Sequence, residues 1–310
     1  MRLFDLHCDT AIRLLTHGQS FYDNEFHISL KKAEIFENYA QVMAVFSQRH
    51  LTDGEAYQRF FEVVKNLRHE VEKNSSVSAL TTDGSALSSL WREGKAPLIL
   101  AVEDARILEG DILRLDELYK SGVRVLTLNW SGETCIGGGH DTHSPLTEFG
   151  KSVVTRCFEL GIIPDVSHAS FEGTEDCIAL ANKFGRPVIA SHSNSYSVCA
   201  HSRNLRDGDF KDIAMLGGIV GISLCPEHLS KAKKAEVSDI MRHIEHYLSL
   251  GGEDTVCLGC DLDGTDLPLG FSDISDLLKI DSEMERLGYP RELIDKITYK
   301  NALNFMENNL

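Results

Sequence analysis

Positive charge is scarce in this sequence. Its 310 residues carry 31 Lys and Arg against 47 Asp and Glu, a formal net charge of −16, and no basic run exceeds a few residues. Nucleic acid and anionic membrane surfaces are therefore excluded as expected partners, and the acidity reads as a solubilising surface. An anionic substrate would need a local cationic anchor. Also missing is any apolar run near the roughly 20 residues that a membrane span requires. The first apolar run begins so close to Met1 that no secretory leader is expected. The eight cysteines (Cys8, Cys135, Cys157, Cys177, Cys199, Cys225, Cys257 and Cys260) show no disulfide-framework spacing. Several lie in apolar runs, and all read as reduced thiols of a cytoplasmic protein. Linkers, low-complexity segments and internal repeats are absent, so one domain over residues 1–310 is expected.

What the chain does have is alternation. Strand-like apolar runs at Leu3–Leu6, Ala40–Phe46, Pro97–Val102, Val123–Leu128, Ile162–Val166, Pro187–Ala190, Gly218–Leu224 and Thr255–Gly259 are separated by helix-like segments. Helices are expected at Leu30–Glu37, from an Asp53 cap to about Glu72, and at Ser85–Arg92, Asp111–Ser121 and Thr147–Leu160. Others are expected at Phe171–Lys183, Asp207–Leu216 and Val237–Leu250. Two tail helices within about 274–308, broken at Gly288-Tyr289-Pro290, would pack on the rest. Buried strands alternating with helices predict parallel β/α units, and eight of them close a (β/α)8 TIM-type barrel. A doubly wound open sheet would place a Gly-rich nucleotide loop after the first strand, where His7-Cys8-Asp9-Thr10 stands instead.

Catalytic groups of such barrels come from the carboxyl ends of the strands. The residues just after the runs are His7 and Asp9, then Glu103, His168, His192 and Asp261. Three histidines and three carboxylates would ring one face. Imidazole and carboxylate together suit zinc and similar divalent ions. Five ligands exceed one open catalytic site but suit a pair bridged by a carboxylate. Glu103, with the longer side chain, is the natural bridge, with His7 and Asp9 on one side and His168 and His192 on the other. Asp261 remains to accept a proton from a shared water and pass it to a leaving amine, with Asp263 as the alternative. The stretch His201-Ser202-Arg203-Asn204-Leu205-Arg206-Asp207 adds arginines that could fork onto a substrate carboxylate, although an arginine is more often a surface residue.

The blocks D-L-H-C-D-T, A-V-E-D-A, L-T-L-N-W, D-V-S-H-A-S, S-H-S-N-S, S-R-N-L-R-D and G-C-D-L-D-G occur in this order over nearly the whole chain. As a set they resemble the membrane (renal) dipeptidase family of zinc peptidases. The resemblance implies a metal-dependent hydrolase barrel holding two zinc ions and cleaving dipeptides with a metal-bridging water. It implies His7, Asp9, Glu103, His168 and His192 as ligands, Asp261 as acid/base, and Arg203 as the anchor of the substrate's C-terminal carboxylate. It implies a soluble microbial-type member, and homodimers are frequent in the family. Two departures stand out: Trp130 replaces a substrate-binding histidine, and Cys225 replaces a tyrosine. His140 and His143, in the Gly-rich loop, are candidates to substitute for the missing histidine, but a solvated mobile loop is the preferred reading. Competing readings are another dinuclear amidohydrolase, such as a deacylase or lactonase, and an inactive binding protein.

Overall fold

Successive residues of an extended strand point to opposite faces, and here both faces are apolar. In this computed structural model, which describes every residue except Lys233, the strands are β1 (Leu3–Cys8), β2 (Tyr39–Phe46), β3 (Ser78–Leu80), β4 (Ala96–Glu103), β5 (Val123–Thr127), β6 (Ile163–Asp165), β7 (Val220–Ile222) and β8 (Val256–Leu258). All pair in parallel, in the order β6-β5-β4-β2-β1-β8-β7. Residues 189 and 190 join the two edges, through parallel bridges Asp165–Ile189 and Ala190–Val220. The sheet thereby curls into the expected β/α barrel.

One parity of the strands fills the interior. Phe4 and Leu6 of β1, Val42 and Ala44 of β2, and Ile99 and Ala101 of β4 cluster with Phe305 and Met306 of the C-terminal helix Asn301–Asn309. That helix closes the end where the strands begin. Each of the larger side chains among them contributes about 1.5–3 kcal/mol by leaving water. The other parity packs outward on the helices, with Leu98, Leu100 and Val102 beside Phe60, Val63 and Leu67. Following the inward parity of β4 to its last residue arrives at Glu103, and that of β6 at Asp165.

Several elements depart from expectation. The sixth run, Pro187–Ala190, makes only the two isolated bridges. Pro187 has no N–H to donate, and a Cβ at Gly221 or Gly259 would overlap the Ser191 carbonyl oxygen, so the chain crosses there at close quarters. β3 was not expected; it lies beside the start of β4, pairing Ser78 with Ala96. A helix at Thr10–His17 follows β1 directly. The helix at residue 30 stops at Ala33, short of Glu37. Thr52, not Asp53, caps the long helix Asp53–Lys73, in a reciprocal capping box with Glu55. The tail breaks at Gly288-Tyr289-Pro290 as expected, but its second part runs through three consecutive helical pieces, Arg291–Asp295, Lys296–Lys300 and Asn301–Asn309. All cysteines are unpaired. Cys257 and Cys260 are spaced C-x-x-C, but both are buried, Cys257 in the inner cluster and Cys260 in the outer one. No helix among the described residues is long and apolar enough to cross a membrane.

Candidate metal centre and active site

The end of β1 is built to aim His7. The strand register slips between Asp5 and Cys8. The buried Asp5 carboxylate accepts the His7 N–H (2.9 Å), the Cys260 N–H (3.1 Å) and Gln41 Nε2 (3.1 Å), so it ties β1 to β2 and to the residues just after β8. Asp9 is not extended, as a simple two-residue alternation would have it. At φ −103° and ψ 13° it is the first turn into the helix Thr10–His17. Its Oδ2 still reaches within 3.7 Å of His7 Nε2.

Glu103 divides its two oxygens. Oε2 lies 3.5 Å from His7 Nε2, whereas Oε1 lies 3.0 Å from His168 Nε2 and 3.7 Å from His192 Nε2. The Nε2 atoms of His168 and His192 stand 2.9 Å apart. His192 is oriented by a chain behind it: Nδ1 meets Ser191 Oγ at 2.7 Å, and Ser191 Oγ donates to Asp165 Oδ2 at 2.6 Å. With the Ser191 proton given to Asp165, the His192 proton belongs on Nδ1, which leaves Nε2 a bare lone pair facing Glu103. Asp165 also accepts Thr127 Oγ1 and the N–H groups of Ser167 and Ser191, so it fixes three strand ends at once. Neither Asp165 nor Ser191 stood out in the sequence, because their role depends on contacts across β5, β6 and the 189–191 segment.

Asp261 Oδ1 lies 3.9 Å from His7 Nε2, and Asp261 also forms a potential ligand group with His7 and Asp9. Asp261 (φ 59°) and His168 (φ 70°) both hold left-handed backbone, a costly conformation for such residues that persists where the surroundings impose it. Gly264 packs against both carboxylates: a Cβ there would overlap Asp9 Oδ2 and Asp261 Oδ1. Asp263, the alternative proton carrier, is otherwise engaged. Its buried carboxylate accepts Thr10 Oγ1 (2.5 Å) and the His27 N–H (2.7 Å), and its own N–H donates to His27 Nδ1.

The cluster is almost dry, and its protonation follows. Burial would lower His7, but the Glu103 and Asp9 carboxylates outweigh it and raise its pKa well above the ordinary value. Burial pushes His168 and His192 far down, and the Arg203 charge adds to this. Burial raises Asp261 well above the carboxylate range; Asp9 and Glu103 add to the rise while His7 opposes it. His7 Nε2, Asp9 Oδ1 and His168 Nδ1 are buried without a hydrogen-bond partner. Of these, His7 Nε2 faces the carboxylates of Asp9, Glu103 and Asp261 at 3.5–3.9 Å, and an unpaired buried imidazole nitrogen among carboxylates is a donor set that a divalent cation would satisfy.

Arg203 is a buried residue, not a surface one. Among the described residues only its Nη2 has a protein acceptor, the His192 carbonyl at 3.3 Å; Nε and Nη1 have none. Trp130 stands at the rim, 5.2 Å from the Phe46 ring and 5.9 Å from the His168 ring. Cys225 lines a cavity of about 860 Å3 with Gly264 and Thr265. The Gly-rich loop is tied down rather than loose: Gly139 bridges to Ala169 and the His140 N–H donates to the His168 carbonyl. His140 thus lies beside the site, its ring 6.1 Å from His168. Only His143 matches the solvated reading, with a side chain 89% exposed.

The family model for membrane dipeptidase (peptidase family M19) matches residues 1–309. The chain belongs to the membrane dipeptidase family. Its members are metallo-dipeptidases, hydrolases of the peptide bond. A relative from Klebsiella pneumoniae, an uncharacterized protein in the pqqA 5′ region, is 29% identical over 230 residues, covering 70% of this chain and 84% of its own. Among solved structures, the metallopeptidase dipeptidase AC of family M19 superimposes with a TM-score of 0.92 at 24% identity, covering 100% of this chain and 98% of that one. A metallopeptidase from Rhodobacter sphaeroides, liganded with a phosphinate mimic of L-Ala-D-Ala, gives 0.92 at 23% identity, with 100% and 99% covered. The probable dipeptidase PvdM from Pseudomonas aeruginosa gives 0.90 at 20%, with 99% and 95% covered. At these identities the structural likeness establishes the fold.

Proposed function

We propose that this family member is a dinuclear zinc dipeptidase, working as a single catalytic barrel. One observation carries the reading: a single carboxylate, Glu103, turns one oxygen to His7 and the other to the His168–His192 pair. His7 and Asp9 would hold one ion, His168 and His192 the second, and Glu103 both. When bound, such a pair supplies the charge that polarises a peptide carbonyl and acidifies a water toward neutrality.

The protein's own groups do the rest. Asp261 has no competing hydrogen bond among the described residues and stands at the edge of the cluster. It takes the proton of the attacking water and hands it to the departing amine. Arg203, with two unused donor nitrogens in a buried setting, anchors the substrate's free C-terminal carboxylate. Trp130 lies where it can cover the substrate's flank. Eight unpaired cysteines agree with a reducing cytoplasm as the place of work.

Arg203 tests the substrate class. A clamp fixed about one residue from the metal cluster accepts a dipeptide and misplaces a longer chain. Losing a charge-assisted pair costs about 1.5–3 kcal/mol, so Arg203→Met should lower kcat/KM on a free dipeptide by roughly tenfold to a hundredfold. The C-terminal amide of the same dipeptide should lose far less. Lysine should rescue in part, since a point charge cannot fork. Equal losses on acid and amide would instead favour the broader amidohydrolase reading.

A further inference from the structure

Three histidines outside the metal-type cluster form a row along the Arg203 side of the site. The His140 ring stands 6.1 Å from His168 and 6.2 Å from His201, and His201 stands 4.7 Å from His228. All three are half-buried. His201 lies two residues before Arg203, and His228 follows Cys225 and Glu227 at the edge of the large cavity.

Their ring nitrogens are mostly unused. The Arg203 N–H donates to His201 Nδ1 at 3.1 Å, which puts the His201 proton on Nε2 as a free donor. His140 Nδ1 meets Ser202 Oγ at 2.9 Å, leaving Nε2 without a partner among the described residues. No described protein group bonds a ring nitrogen of His228, whose backbone carbonyl instead holds Asn204. Burial, helped by the Arg203 charge, brings His228 down to about 2 and lowers His201 in the same sense. The row thus offers N–H donors and lone pairs beside the buried Arg203.

An aliphatic side chain seated here would strip water from these nitrogens and return nothing, which is how a polar subsite rejects an apolar analogue. An oxygen-bearing side chain replaces the lost hydrogen bonds. We propose that His140, His201 and His228 form the subsite for the side chain of the substrate's C-terminal residue, and that it selects side chains ending in a carboxylate or carboxamide. This rests on the dipeptidase reading, in which Arg203 holds the adjoining main-chain carboxylate. The side chain of that residue branches from the carbon next to the carboxylate, within reach of the row.

The test compares Ala-Glu, Ala-Gln and Ala-Met, of similar length and differing in the terminal oxygen, on the metal-loaded protein. Glu and Gln should exceed Met in kcat/KM by about tenfold or more. In His201→Leu and His228→Leu that ratio should fall toward one. Phosphinate analogues of Ala-Glu and Ala-Met, compared as inhibitors, should show the same preference without depending on turnover. A wild-type ratio near one, or a ratio kept in both variants while all three substrates slow together, overturns the subsite and leaves the dipeptidase reading standing. If no dipeptide is cleaved and no analogue binds, the dipeptidase reading falls and takes the subsite with it.

Discussion

Asp261 and Asp263 are two residues apart and chemically identical, yet the fold gives them different work. Asp263 spends its carboxylate on Thr10 and His27 and so stitches the loop after β8 to the helix after β1. Asp261, in left-handed backbone, keeps its oxygens free at the cluster's edge, where Gly264 leaves room for its carboxylate. Asp261→Asn keeps shape and removes the ionisable carboxyl that carries the proton. Turnover should fall by roughly 10²–10⁴-fold with metal retained, since general acid–base help has that size. Steady-state kinetics beside elemental analysis decides it; loss of metal would make Asp261 a ligand, and unchanged turnover would move the proton to another group. At this scale much was legible beforehand. The strand-end rule named His7, Asp9, Glu103, His168, His192 and Asp261, and the structure brings all six together. It could not name Ser191, Asp165, Gly264 or the histidine row, because each matters through a contact far away in sequence. The solvated reading of His140 failed for the same reason: nothing local says that Gly139 will pair with Ala169.

Element boundaries were legible where a run was long and apolar and blurred where it was short or crowded. β2 and β4 emerge nearly as read. β3 is three residues with a serine and an alanine, too weak a signal beside its neighbours. The 187–190 segment has strand composition but cannot form a ladder, because Pro187 lacks a donor and the Ser191 carbonyl closes onto Gly221 and Gly259. The loop from Gly18 to Leu30 has no strong pattern of its own and is held from outside. Glu70, buried on the long helix, accepts the Phe21 N–H (2.9 Å) and pairs with Lys73 (2.7 Å). Burial opposes ionisation of Glu70, but Lys73 and the Phe21 N–H outweigh it and lower its pKa. A carboxylate lowered in the folded state stabilises fully above its unfolded pKa, near 4.5, and loses that contribution as pH falls through the folded value. Glu70→Gln should therefore cost about 1 kcal/mol at pH 7, and the gap to the parent should narrow below about pH 4.5. Urea unfolding midpoints across that range check it; a constant gap would mean that the charge is not what holds the loop.

The whole molecule separates stability from chemistry by position. The C-terminal helix and the apolar inner parity fill the end where the strands start, and every group of the proposed chemistry stands at the end where they finish. Arg203 is a buried cation beside the cluster, the local anchor proposed for an anionic substrate on a chain of net charge −16. The account stands on Glu103 serving two ions at once. The most direct measurement is the metal-to-protein ratio of the zinc-loaded, dialysed chain, taken together with dipeptide hydrolysis before and after chelation. The account predicts about two ions per chain, hydrolysis abolished by the chelator, and hydrolysis restored by zinc, cobalt or manganese. One ion or none per chain at full activity, or undiminished hydrolysis after complete removal of metal, would contradict it.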